Sequence, residues 1–384
     1  MTTMRESPLN GRTREGMLIL LVLCGAISCI ACALLLRYAR GAGRHYALTV
    51  PQRFHAGDVP RLGGAAMMVA CTAGWIWMVV AERYLSVPNL IRFEPRVALT
   101  WWLVAMIAFT GGVGEDITHR LMARWRLAFT VLAGVVAASM LSLDIPRLDI
   151  PLIEPWWDAN AWAGIALAVF AVAGLPHAFN LIDGYNGLAA LVALICCLAL
   201  AYVALLVGDR QLAAIVLVLA GATAGFLVWN YPHGLIFAGD GGAYLWGVVI
   251  ATANVLLVQR HPQVSPWFPV LLLIYPVWET LFSIYRKAVR GQSPGVADAL
   301  HFHQLIYRRV VREVFDDDES RRMLMRNNRT SPYLWGFTVL TVLPAVLFWD
   351  RTPWLLAFIG LFVASYVWAY VSIVRFKVPR WLRR

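Results

Sequence analysis

The chain has 384 residues, of which 60% are hydrophobic and only 14% charged. A soluble domain carries about 25% charged residues, so this composition excludes an ordinary globular enzyme and points to an integral membrane protein. The net charge of +11 sits on basic residues scattered among hydrophobic runs; that excludes a compact nucleic-acid surface and favours anionic headgroups and anionic substrates.

Apolar runs near 20 residues are long enough to cross a hydrocarbon core of about 30 Å. Eleven such runs are predicted: 17–36, 62–81, 97–113, 127–143, 161–179, 188–207, 212–229, 242–258, 265–285, 334–349 and 353–373. Backbone satisfaction in lipid makes them helices, since the alternation of a membrane barrel is missing. The expected fold class is an all-α integral membrane protein of about eleven transmembrane helices, forming one polytopic domain over 1–384 with a long cytoplasmic loop at 286–333.

The first run follows residues 1–16 without a small-residue cleavage site and reads as an uncleaved helix. All six cysteines fall inside runs. Cys29 and Cys32 form a C-x-x-C that reads as buried packing, not a metal or redox motif. The connection 37–61 contains "PQRFHAGDVPRLGG" at 51–64, with His55 and Arg61 as candidate contacts for an anionic substrate.

After the second and third runs comes "GGVGEDITHRLMARWRL" at 111–127, where Glu115 and Asp116 stand side by side at a helix end. Loop 144–160 holds four acids against one Arg. The fifth run ends in "LPHAFNLIDGYNGLA". His177, Asn180 and Asp183 recur there every three residues, so they share a helix face, with Asn186 just beyond. The seventh run leads into "WNYPHGLIFAGDGGAYLWG" at 229–247, where Asp240 stands among glycines at a helix start and backbone N–H groups can meet an anion. Glu279 lies inside the ninth run, an acid that costs about 2.5–3.5 kcal/mol on insertion scales and is functional by default; Pro276 before it is expected to kink the helix. The connection after that run adds Arg286, Lys287, Arg290, His301, His303, Arg308 and Arg309, suited to a diphosphate or a sugar.

Lys and Arg set the orientation. One set of connections holds 23 of them, the other 10. The richer side is expected to be cytoplasmic, with the N-terminus periplasmic and the C-terminus cytoplasmic. Every motif-bearing loop lies on that side. Hard carboxylate and amide oxygens near basic groups suit Mg²⁺ held together with phosphates. Each feature also has a plainer reading: Asp183 and Asp240 as helix caps, His177 as a structural histidine, Arg308 and Arg309 as topology anchors.

Together these motifs resemble the polyprenyl-phosphate N-acetylhexosamine-1-phosphate transferases, the WecA-type initiators of O-antigen and, more distantly, the MraY translocase. The resemblance runs from about 50 to 310 and rests on 177–189, similar to N-x-x-N-x-x-D-G-x-x-G-L-A, and on 237–247, similar to F-x-G-D-x-G-S-x-x-x-G. It implies a cytoplasmic-face active site with Asn180 and Asp240 as metal contacts for Mg²⁺ (Mn²⁺ as a substitute). Glu115, Asp116 and Asp183 become the catalytic acids. His55, Arg61, His177, Asn186, Arg290, His301 and His303 become substrate contacts. Glu279 matches an Asp of the family. The implied reaction is transfer of an N-acetylhexosamine-1-phosphate from a UDP-sugar to undecaprenyl phosphate in the bacterial inner membrane, with UMP released and a lipid-linked glycan begun; a homodimer is among the assemblies open to it. Departures are Glu115 for Asp, His177 for Asn, Gln304 for the last His of H-x-H-H and Ala243 for Ser. A transporter or flippase, which needs polar groups at mid-membrane or broken central helices, and a non-catalytic partner in polysaccharide assembly stand as the alternatives.

Overall fold

The computed structural model describes residues 11–38, 59–85, 93–292, 300–311 and 318–375. His55 and most of the connection 37–61 lie outside these residues. The described residues form fourteen helices and no strand. The first eight are α1 (Gly11–Tyr38), α2 (Gly63–Leu85), α3 (Pro95–Thr118), α4 (Ala123–Leu141), α5 (Glu154–Ala159), α6 (Ala161–Ile182), α7 (Leu188–Leu206) and α8 (Arg210–Asn230). Then come α9 (Gly239–Arg260), α10 (Trp267–Leu272), α11 (Ile274–Val289), α12 (Phe302–Arg309), α13 (Glu319–Leu347) and α14 (Thr352–Val374).

Ten of them are long and apolar enough to cross a membrane: α1 to α4, α6 to α9, α13 and α14. The expected span 265–285 differs. It is the pair α10 and α11, broken at Leu273. Pro276 is the physical reason. It has no N–H to give the carbonyl four residues back, and that carbonyl, on Leu272, takes the Cys196 thiol at 3.5 Å instead. The segment 286–333, expected as a loop, holds the end of α11, all of α12 and the first half of α13.

Helix α9 is the axis of the bundle and is buried along its whole apolar length. In lipid, close van der Waals approach rather than water exclusion holds helices together, so small residues mark the contacts. A Cβ at Gly112 of α3 would stand 2.5 Å from the Asp240 carbonyl oxygen, and one at Gly247 of α9 would strike Pro176 of α6. The neighbouring helices can therefore touch the α9 backbone itself.

At 22 residues and 1.5 Å per residue, α9 is about 33 Å long. Its far end is tied by Arg260 and His261 to Asp209, each at 3.2 Å. Its near end begins with Gly239 and Asp240 and is met by the start of α2, the end of α3 and the start of α4. The turn between α6 and α7 joins them through the Gly187 N–H, which donates to Asn230 Oδ1 at 2.6 Å.

Candidate active site

Two stretches far apart in sequence pair at the near end like short strands. The Phe237 N–H donates to the Pro60 carbonyl, the Gly63 N–H to Phe237 and the Gly64 N–H to Ala238, each at 2.9 Å. This is why "PRLGG" and "FAGD" belong together: the first positions the second. The chain then enters α9 through Gly239 at φ +70°, a conformation natural only to glycine. A side chain there would also meet Asp116 Oδ2 at 2.5 Å and the Arg61 carbonyl at 2.7 Å.

Asp116, buried at the end of α3, turns both oxygens onto the start of α9. Oδ1 accepts the Asp240 N–H and Oδ2 the Gly241 N–H, both at 2.9 Å. First-turn N–H groups have no partner within their own helix, so Asp116 is a capping carboxylate supplied by another helix. Glu115 beside it points elsewhere. Its Oε2 accepts the Leu121 N–H at 2.9 Å and closes the turn between α3 and α4. Asp240 projects from the first turn of α9, and Arg126, from the first turn of α4, places Nη1 2.5 Å from Asp240 Oδ2.

Asp183 caps the end of α6 and is half-buried. Burial pushes its carboxyl up to about 7; Arg61 pulls the other way, and Asp240 and Asp116 raise it further. Three groups of the floor thus act electrostatically on one carboxyl. Asn180 lies one turn before it on α6. His177, a further turn back, has one ring nitrogen 3.1 Å from Thr130 Oγ1 and the other 3.3 Å from the Tyr244 hydroxyl. Both nitrogens are engaged within the bundle, the placement of a histidine that holds α4, α6 and α9 together.

The basic side is built around Glu279, which is 0% exposed. Its Oε1 accepts the Phe302 N–H at 3.1 Å and lies 3.3 Å from His301 Nδ1; its Oε2 accepts the Tyr366 hydroxyl at 2.5 Å. The carboxylate thus caps α12 from α11 while α14 grips its other oxygen. Gln304 closes the same turn, its Oε1 accepting the His301 N–H at 3.4 Å. The His301 and His303 rings stack with centroids 5.4 Å apart. His303 is buried against Tyr185 at 5.5 Å. Burial, with His301 and Arg286 acting in the same sense against Glu279, brings its pKa down to about 3, so the ring is neutral. A Cβ on Gly184 would stand 3.2 Å from His303 Nε2. The acidic floor and the basic side therefore meet at the turn after Asp183.

Of the residues singled out in the sequence, Glu115, Asp116, Asn180, Asp183, Asp240, Arg61, His177, His301 and His303 gather at this end. Asn186 is there but fully buried, its side-chain amide donating to the Pro232 carbonyl at 3.3 Å and to Asn328 Oδ1 at 3.0 Å. Arg290 is exposed at the end of α11. Arg126 was missed: an Arg at the mouth of a span reads as a topology anchor, and only the fold shows it against Asp240. Tyr366 and Asn327 were missed too, lying far from any recognised motif. Among the described residues no three His, Cys, Asp or Glu side chains form a ready metal cage. The donor chemistry of Asp240, Asp183 and Asn180 is that of hard oxygens, which suits a cation completed by substrate phosphates.

Residues 98–258 match the family model described as glycosyl transferase family 4. The chain is 28% identical to a probable undecaprenyl-phosphate N-acetylglucosaminyl 1-phosphate transferase of Bacillus subtilis over 66% of each chain. It is 30% identical to a phospho-N-acetylmuramoyl-pentapeptide-transferase of Moorella thermoacetica, over 64% of this chain and 74% of the relative. It is also 30% identical to an undecaprenyl-phosphate alpha-N-acetylglucosaminyl 1-phosphate transferase of Thermotoga maritima, over 55% of this chain and 62% of the relative. The chain thus spans just under two thirds of the length of the first and third of these relatives.

Proposed function

The chain belongs to the polyprenyl-phosphate sugar-1-phosphate transferases of glycosyl transferase family 4, and from that membership we propose that it moves an N-acetylhexosamine-1-phosphate from a UDP-sugar to undecaprenyl phosphate. The convergence of Asp116 and Arg126 on the first turn of one buried helix, at Asp240, with Asp183 within electrostatic reach of it, carries this reading. The B. subtilis and T. maritima relatives are named for transfer of N-acetylglucosamine 1-phosphate to undecaprenyl phosphate, which supports the acceptor and the sugar class.

In the proposed reaction an oxygen of the lipid phosphate bonds to the β-phosphorus of the UDP-sugar. The bond from that phosphorus to the bridging oxygen breaks, and UMP leaves with the electron pair. One anhydride replaces another, so catalysis is chiefly the holding of two anions in line and the balancing of their charge. Asp240 and Asn180 would hold Mg²⁺, with Mn²⁺ as its substitute, which supplies charge neutralisation on the diphosphate. Arg126 and Arg61 bring fixed positive charge to the same floor. Asp116 holds the N-terminus of α9, whose N–H groups and dipole favour an anion. Asp183 is the carboxylate that exchanges a proton with the lipid phosphate, in preference to Asp116, whose two oxygens are both held by backbone N–H groups. His303 faces the turn at Gly184 with His301 stacked on it, and the two would meet the nucleotide from that side. The Lys and Arg distribution supports a cytoplasmic position for this end, where a lipid phosphate and a soluble nucleotide would meet.

The test is purified protein in lipid with undecaprenyl phosphate, Mg²⁺ and a panel of UDP-N-acetylhexosamines, following UMP release. Turnover is expected with at least one sugar, and its loss on chelation and in D240A. Absence of UMP release with the whole panel overturns the activity; full turnover in D240A overturns the metal assignment.

A further inference from the structure

Helix α13 lies outside the stretch 98–258 that the family model matches, yet it bonds four polar groups of two successive residues in the turn after Asp183. The Asn186 N–H donates to Asn327 Oδ1 at 2.8 Å. The Asn186 carbonyl accepts the Ser331 hydroxyl at 2.7 Å. Its side-chain amide donates to Asn328 Oδ1 at 3.0 Å. The Gly187 carbonyl accepts the Trp335 indole N–H at 3.1 Å. Positions 327, 328, 331 and 335 form one stripe of a helix. Asn327 and Ser331 are 0% exposed, so neither bond has water as a substitute.

The same turn is bonded to the chain leading into α9. Asn230 Oδ1 accepts the Gly187 N–H, while Asn230 Nδ2 donates to the Ile236 carbonyl at 2.8 Å. Four residues after Ile236 stands Asp240. Gly187 sits at φ +68°, and a Cβ there would lie 3.0 Å from Tyr231, so the turn has no slack against α8. The stripe on α13 therefore fixes one side of an assembly whose other side is the entry to α9.

We propose that Asn327 and Ser331, with Asn328 and Trp335, are positioning residues that set the placement of Asp183 relative to Asp240. The inference rests on the transferase reading for its catalytic consequence, though not for the clamp itself. Arg326, on the same helix, donates to the Tyr307 carbonyl of α12 at 2.9 Å. The basic side and the acidic floor are thus tied through α13 as well as at Gly184. Misplacing a reacting group by about 1 Å reduces rate roughly 100-fold without requiring weaker substrate binding.

Four proteins in lipid nanodiscs test this: the wild type, N327L, which keeps volume but removes the acceptor, N327D, which keeps the acceptor, and S331A as the milder variant should N327L fail to fold. Amide hydrogen exchange of the 183–190 segment reads the clamp; kcat and KM for the UDP-sugar, per folded molecule, read the positioning. N327L and S331A are expected to speed exchange at 183–187 while the bundle stays protected. Their kcat is expected to fall roughly ten- to 100-fold with KM within about three-fold, and N327D to retain both properties. Wild-type exchange at 183–187 in N327L or S331A overturns the clamp. Wild-type kcat in both, or equal damage to kcat, KM and global protection, overturns the positioning role. Should the wild type itself release no UMP, the transferase reading fails while the exchange result still decides the clamp.

Discussion

Asp116 and Asp240 are joined carboxylate to backbone: Asp116 Oδ1 accepts the N–H of Asp240 at 2.9 Å, and Oδ2 takes the next N–H at the same distance. Two acids tolerate each other here because one of them is bonded to the helix that carries the other. The amide in D116N would turn N–H donors toward N–H donors. A lost charged cap amounts to about 1–2 kcal/mol, and a buried unsatisfied group to about 1–3 kcal/mol. D116N is expected to lower the melting temperature and depress turnover evenly across pH. A D116N protein with wild-type melting and a displaced pH profile would restore Asp116 as a proton acceptor.

Arg126 and Asp240 form a pair that a divalent cation would have to share. Arg126 keeps about a quarter of its side chain exposed, so the pair is worth well below the roughly 3–5 kcal/mol seen when a fully buried pair is broken. In chelator, R126Q is expected to melt below the wild type because Asp240 loses its counter-charge. Saturating Mg²⁺ is expected to raise the melting temperature of R126Q by more than that of the wild type, since whatever binds the folded state stabilises it by mass action. Equal Mg²⁺ shifts in the two proteins would separate Arg126 from the cation site.

Helix existence was legible from hydrophobic length, and convergence of the acidic loops from the alternation of spans that returns them to one end of the bundle. The partner of each polar group was not. His177, Asn180 and Asp183 share a face by spacing alone, but spacing does not reveal that Thr130 and Tyr244 take both nitrogens of His177. "MARWR" at a span entrance looks the same whether its last Arg faces headgroups or Asp240. "RNNRTS" looks like loop, because six polar residues in a row carry no apolar period; they continue α13 only because its far half is packed and its polar stripe has a buried turn to bond. Pro276 announced a kink, and the fold interrupts the helix at Leu273 alone, with the Leu273 N–H still bonded to Pro269 and the Val277 N–H to Leu273.

Glu279 and Tyr366 offer a check on the basic side. Removing the phenol leaves one oxygen of a fully buried carboxylate without its donor, which costs about 1–3 kcal/mol. Removing the carboxylate orphans the Phe302 N–H and the tyrosine and releases His301. The expected order of destabilisation is E279A above Y366F, with UDP-sugar affinity falling in both because α12 loses its cap. Melting curves and nucleotide titrations check it. Wild-type nucleotide affinity in a folded E279A protein would remove α12 from the substrate site.

Asp183 supplies a dependence on pH whose sign is fixed by its surroundings. Its carboxyl titrates at about 7 in the folded chain against an ordinary 3.8, chiefly through burial, with Arg61 opposing and Asp240 and Asp116 reinforcing. The folded state therefore holds this proton more tightly than the unfolded one. Its contribution to stability is fully present below about 4 and is lost as pH rises through about 7. In chelator, the wild type is expected to lose resistance to unfolding between those values, whereas D183N, which cannot ionise, lacks that component. R61A, with the opposing charge gone, is expected to carry the loss to higher pH. Unfolding measured from pH 4.5 to 8.5 in all three proteins decides it: parallel curves for the wild type and D183N would mean that Asp183 is ionised throughout, and with it would go the assignment of the exchanging proton to this carboxylate.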